Sequence, residues 1–163
     1  MDNKLNLSLK DFENDDQSSL FDSIVDDVYA REIDHDNIEE FENPVKNLIY
    51  IFNMHFQVLN GGVIQFVDNS TGDFFEETLN ALKEINAVEY VDILQKVKSI
   101  FPEGSVPRDT DERRAVIDGI WDDLTEKQDE EMSELLESVD EKYYDNQELL
   151  YKYVTDYTKP HII

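Results

Sequence analysis

No cysteine occurs in these 163 residues, so disulfide staples and thiolate metal sites are excluded. Basic residues are scarce: 14 Lys and Arg stand against 39 Asp and Glu, for a formal net charge of −25. A surface of that sign repels nucleic acid and anionic membranes and attracts basic partners. A long apolar run is also missing. The stretch from Leu48 to Leu59 is interrupted by Asn53, His55 and Gln57, too short and too polar for a bilayer. The opening Met1-Asp2-Asn3-Lys4 lacks the basic start and apolar core of a signal peptide. A soluble cytoplasmic protein is the expectation.

What is present argues for a packed core. Hydrophobic residues make up 40% of the chain and aromatics 11%, and they recur at helical spacing, which opposes disorder despite the charge. The length suits a single domain. The acids are unevenly placed: residues 11–42 hold thirteen acids and one base, and 122–141 hold ten acids and one base. These two blocks carry most of the net charge.

The periodicity predicts about eight helical segments in an all-α fold, with 1–17 loosely ordered and 18–163 forming the domain. Leu20, Phe21, Ile24, Val25 and Val28 make a first stripe, with Ser18 or Ser19 as its cap. Asn43-Pro44 reads as a cap residue and a proline at the first helical position. Val45, Leu48, Ile49, Phe52, Phe56 and Leu59, with Ile51 and Val58 on other faces, predict a central buried helix over 44–59. Asn60-Gly61-Gly62 is expected to end it, with a short helix following through Ile64 and Phe66. Ser70 with Asp73 opens the next stripe, Phe75 to Ile85, and Val91 to Phe101 forms another, stopped by Pro102. Asp109 with Glu112, Thr125 with Gln128, and Asp145 with Glu148 have the spacing of capping boxes for three last helices.

No HExxH pair, P-loop, GxSxG elbow or dinucleotide fingerprint is present, and no cofactor is expected. Asp34–Glu40 and Asp68–Asp73 only faintly resemble calcium loops, and Ile38 stands where a ligand would be required. His55 allows two readings: a base in a polar pocket with Gln57, Asn60 and Gln65, or a hydrogen-bonded core histidine. The second is preferred because no nucleophile or second acid is placed beside it. Adjacent acids such as Asp26-Asp27 and Asp122-Asp123 follow from composition alone.

The sharpest pattern lies in the helix expected from 129 to 143. Glu130, Glu134, Glu137 and Glu141, spaced 4, 3 and 4, fall on one face away from Met132, Leu135 and Val139, flanked by Glu131 and Asp140. Like charges at this spacing cost a helix about 0.2–0.5 kcal/mol per pair, and Lys127 and Lys142 stand only at its ends. Asp22, Asp26, Asp27, Asp34, Asp36, Glu39 and Glu40 of the first block, and Asp122, Asp123 and Glu126 of the second, are the further candidates for a partner-binding acidic surface.

The stretch Asn60-Gly61-Gly62-Val63-Ile64-Gln65-Phe66-Val67-Asp68-Asn69 resembles the NGG-F-x-Q-(F/Y)-x-x-N signature of the bacterial DNA mimic protein family, whose founding member is named for its nineteen-kilodalton size. Gly72, Leu79-Asn80-Ala81-Leu82, Ile85-Asn86-Ala87, Phe101-Pro102 and Val139-Asp140-Glu141-Lys142-Tyr143-Tyr144 agree in order, so the resemblance spans roughly 44–158. Val63 replaces an aromatic, and Asn86 stands where the family has glycine; asparagine also accepts the left-handed conformation. The resemblance implies an all-helical dimer whose carboxylates stand in for phosphates on the DNA-binding face of a regulator, such as a helix-turn-helix repressor. Asn60, Gly61, Gly62, Gln65, Phe66 and Asn69 are its structural motif. Two alternatives stay open: an immunity-type inhibitor of a basic nuclease toxin, and an enzyme built on the His55 pocket.

Overall fold

The computed structural model describes residues 4–13 and 16–162; the expectation for 1–17 falls partly outside them. The described residues form seven α-helices and five short 3-10 turns, with no strand among them. The helices are α1 (Gln17–Tyr29), α2 (Val45–Asp68), α3 (Phe75–Glu84), α4 (Val88–Lys98), α5 (Thr110–Asp122), α6 (Glu126–Asp145) and α7 (Gln147–Thr158). The all-α reading holds, and α2 is the central element: α1, α3, α5 and α6 all pack on it, while α7 packs on α1. Near the termini, Leu5 is fully buried and its N–H donates to His161 O at 3.2 Å.

Several helix starts differ from expectation: a nearer group caps α1, and the starts of α2, α3 and α7 carry no side-chain cap. Asp16 caps α1, accepting from the N–H groups of Ser18 and Ser19 at 3.1 and 3.4 Å. The serines themselves lie inside the helix, where Ser19 donates its hydroxyl back to Asp16. Pro44 occupies the N-cap of α2 rather than its first turn, and Asn43 makes no cap bond; its carboxamide faces Glu84 at 3.4 Å. Ser70 and Asp73 form no cap either; they lie in a 3-10 turn, Ser70–Phe74, ahead of α3. Asp145 closes α6, and Asn146 turns its amide back onto Lys142 O at 2.6 Å. The Thr125–Gln128 box forms in full, whereas Asp109 gives only its half, accepting from Glu112 N at 2.9 Å.

The turn at Asn60-Gly61-Gly62 falls where the sequence placed it. The first helix leaves helical geometry there and the expected short helix follows directly, so α2 consists of two helical halves joined by a kink. Gly61 has φ −164 and ψ 29, and Gly62 has φ 76 and ψ 178, a region only glycine populates readily. A break strands carbonyls on one side and N–H groups on the other. Helix α6 serves both. Tyr144 donates its hydroxyl to Val58 O at 2.9 Å, and Asp140 Oδ1 accepts from Val63 N at 2.7 Å. These two side chains stand four apart, on neighbouring turns of one face of α6. A Cβ on Gly62 would collide with the Asp140 carboxylate. Asn86 takes φ 59 between α3 and α4, the conformation that stands in for glycine.

The far end of α2 is held by Arg113, which is fully buried in α5. Its Nε donates to Val67 O at 2.5 Å, and its Nη2 to Asn69 O and Asp73 Oδ1 at 2.7 and 2.9 Å. Its Nη1 reaches Pro107 O and Arg108 O at 2.9 and 2.8 Å. All five donors are thus used, which is what makes a buried guanidinium tolerable. Burial opposes ionisation of Asp73, but bonds from Thr110, Arg113 and His35 outweigh it and hold the carboxyl below its ordinary value. Gly72 packs against this clamp: a Cβ there would lie 2.7 Å from Val67 O and 2.9 Å from Arg113 Nη2.

Two substitutions test these joints by urea unfolding. Gly62→Ala is expected to cost about 2 kcal/mol or more, from backbone strain plus the Asp140 collision. Arg113→Met is expected to cost about 3–5 kcal/mol, because it removes the cation paired with Asp73 and the donor to four carbonyls. An unchanged midpoint in either variant contradicts the corresponding joint.

Candidate interaction surface

Helix α6 begins at Glu126, a turn earlier than its apolar stripe suggested, because the Thr125 box sets its start. This lengthens the acidic stripe. Glu126, Glu130, Glu134, Glu137 and Glu141 are all exposed, while Val139 and Tyr143 are buried on the opposite side. Fifteen residues separate the first from the last, about 22 Å at 1.5 Å per residue. Among the described residues, the ion pairs made by α6 are Lys127 with Glu131 at 3.4 Å and Lys142 with Asp92 at 2.6 Å. None reaches the five carboxylates of the stripe.

The other sequence candidates separate into two kinds. Asp22 and Asp26 are exposed on the outer face of α1, and Asp122 and Asp123 are exposed at the α5–α6 corner. Others serve local structure. Asp27 is half-buried and pairs with Arg31 at 3.1 Å. Asp34 Oδ1 accepts from the N–H groups of Asp36 and Asn37, both at 3.0 Å, closing its own turn. Asp36 lies 3.7 Å from the exposed His35. Glu39 accepts from Tyr50 at 2.8 Å and sits within reach of Lys46 and Arg108; the Tyr50 bond, with those two cations, lowers its carboxyl against the effect of partial burial. Glu40 is exposed beside it. Glu131 has Lys127. Asp140 turns inward onto the break in α2, and burial pushes its carboxyl up, against the pull of the Val63 N–H.

Helices α1 and α6 flank the same part of α2. At His55, the ring of Phe21 from α1 lies 5.4 Å away and that of Tyr143 from α6 lies 5.9 Å away, centroid to centroid. The Asp34–Glu40 segment lies elsewhere, over the first turns of α2 and the Ser70–Phe74 turn, as the Tyr50 and Asp73 contacts show.

The pocket imagined around His55 is used up by structural bonds. His55 is buried and shares a hydrogen bond with Tyr143 through Nδ1 at 2.9 Å, and burial pushes its imidazole down to about 4. Gln57 Oε1 accepts from Gln65 at 3.0 Å and from Asn69 at 2.6 Å. Asn60 is exposed, and Phe66 is buried against Phe75 at 5.9 Å. The signature residues Gln65 and Asn69 therefore tie the two halves of α2 together across the break. The described residues contain no cluster of three or more His, Cys, Asp or Glu suited to a metal ion. Sequence reasoning missed Arg113. Its only signal was its place four residues before Ile117, on the apolar stripe of α5.

The DMP19-like protein family profile matches residues 39–161. The chain belongs to the DMP19-like family. No curated protein and no solved structure matches it significantly. Membership suggests a DNA mimic and implies a non-enzymatic role in which a DNA-binding protein is bound. The match takes in the broken α2, the Arg113 clamp and the whole of α6, while α1 lies ahead of the matched residues. No helix in the described residues of this DMP19-like chain is long and apolar enough to cross a membrane.

A pH titration of stability tests the His55 assignment. The unfolded imidazole takes up a proton near 6.5, whereas the folded one resists until about 4. Stability that is present at neutral pH is therefore lost as pH falls through that window, by up to about 3 kcal/mol. His55→Gln, which keeps a partner for Tyr143, should flatten this part of the profile. Equal slopes in the two proteins would show that His55 titrates freely in the fold.

Proposed function

We propose that this DMP19-like chain acts as a DNA mimic through an acidic surface centred on α6. Glu126, Glu130, Glu134, Glu137 and Glu141 form its spine. Asp122 and Asp123 extend it at one end, and Asp22 and Asp26 of α1 add charge across α2. The partner is a basic DNA-binding protein, such as a helix-turn-helix regulator, met in the cytoplasm. The observation that carries this reading is the stripe itself: five exposed carboxylates on one helix face, none of them in an ion pair among the described residues.

Energetics separate this from an ordinary solvated face. The spacing creates like-charge neighbours at i+3 and i+4, each costing about 0.2–0.5 kcal/mol, which lysines at alternate positions would turn into a gain. A uniform negative stripe makes sense when the missing cations arrive on a partner. Charge density sets the scale. One carboxylate per about 5 Å along α6 is roughly a third of the one charge per about 1.7 Å of duplex DNA. Several acidic elements must therefore act together, and a homodimer would double the number that one partner meets. Such a field accelerates encounter and makes binding strongly salt-sensitive.

The test uses the chain and its E130Q/E134Q/E137Q/E141Q variant as baits in a low-salt lysate, followed by a salt ramp. The wild-type chain is expected to retain a basic DNA-binding protein that elutes early in the ramp. The variant is expected to release it at markedly lower salt, although its own unfolding free energy rises by about 0.8–2 kcal/mol as the repulsions of four neighbouring pairs disappear. Retention of the same protein at the same salt by both baits would contradict the reading.

A further inference from the structure

Resting on the acidic surface just described, we propose that the apolar strip formed by Phe56, Leu59 and Tyr144 seats an amphipathic basic helix of the partner, one with an apolar stripe bordered by Lys and Arg. Phe56 and Leu59 are each 42% exposed and Tyr144 is 40% exposed; among the described residues the one other exposed large apolar side chain is Val88. Phe56 and Leu59 stand three apart, so they share one face of α2. Phe56 lies 6.2 Å from the ring of Tyr29 at the end of α1, and Tyr144 of α6 is pinned along α2 by its bond to Val58 O. The strip thus lies between the two acidic helices. On α6 it continues the stripe, since Glu137, Glu141 and Tyr144 follow one another at spacings of 4 and 3.

Charge decides the occupant. A second copy would bring its own α1 and α6 against these, carboxylate to carboxylate, with both chains at −25. A helix with an apolar stripe between rows of Lys and Arg satisfies both features together: its apolar side chains cover Phe56 and Leu59, and its cations face Asp22, Asp26, Glu137 and Glu141. Apolar burial then supplies short-range affinity that a purely electrostatic mimic lacks, and exposed aromatics are common anchors of that kind.

Two synthetic helical peptides of identical Lys, Leu and Ala composition test this. In one, Leu recurs at i, i+3, i+4 and i+7; in the other the order is shuffled. Affinity is read by fluorescence anisotropy at low and high salt, for the wild type, F56S/L59S and E134Q/E137Q/E141Q. The patterned peptide should bind the wild type on the order of tenfold tighter than the shuffled one, a difference of about 1.4 kcal/mol. F56S/L59S should abolish that difference and leave the salt dependence intact, whereas E134Q/E137Q/E141Q should weaken both peptides alike. Equal affinity of the two peptides for the wild type would overturn the proposal while leaving the acidic reading standing. So would a fall in the chain's own solution mass in F56S/L59S, because a second copy would then cover the strip. Salt-independent binding of both peptides would remove the acidic reading and this proposal with it.

Discussion

The broken helix at the centre of the molecule sets the position of everything that matters for function. Two glycines interrupt α2 at 61 and 62, and the interruption exposes polar backbone that an apolar core cannot leave unpaired. Helix α6 supplies both missing partners, the Asp140 carboxylate and the Tyr144 hydroxyl, from adjacent turns. That double contact fixes the rotation of α6 about its own axis. With Asp140, Val139 and Tyr143 turned towards α2, the glutamates at 126, 130, 134, 137 and 141 have to face outward. The glycine motif is thus structural, yet it aims the acidic stripe.

A second constraint holds the other end of α2. Arg113 is the one charged side chain among the described residues that is wholly buried. It gathers the last carbonyls of α2, the loop before α5 and Asp73 into one cluster. Cations suit the C-terminal end of a helix, where the backbone dipole is negative. In a chain with so few bases, one of them is placed inside, and the surface is left correspondingly negative.

Much of this was legible in the sequence. Helical spacing of apolar residues located all seven helices, because each buries a continuous stripe. The break at Asn60-Gly61-Gly62 and the short helix after it were both legible, but no local pattern shows that α6 supplies the partners of the interrupted backbone. The helix starts at Ser70 and Asp145 differ because cap residues are recognised by local spacing, whereas Asp73 is claimed by Arg113 from forty residues away and Asp145 is the last residue of α6. The exposed stripe on α6 was readable from spacing alone. Asp140 was grouped with it, and its inward turn depends on a tertiary contact to Val63 that no local pattern encodes. The same holds for Phe56 and Leu59, which share the apolar stripe of the central helix but emerge where α1 and α6 leave α2 uncovered.

Exposed carboxylates that substitute for phosphates require chain and duplex to compete for one surface of the regulator. The most direct measurement is a titration of this chain into a preformed complex of the retained regulator with its fluorescent operator duplex, followed by anisotropy and by native gel. Free duplex is expected to be released in proportion to chain added, with no species containing all three components, and more chain is required as salt rises. A stable ternary complex of chain, regulator and DNA would contradict mimicry.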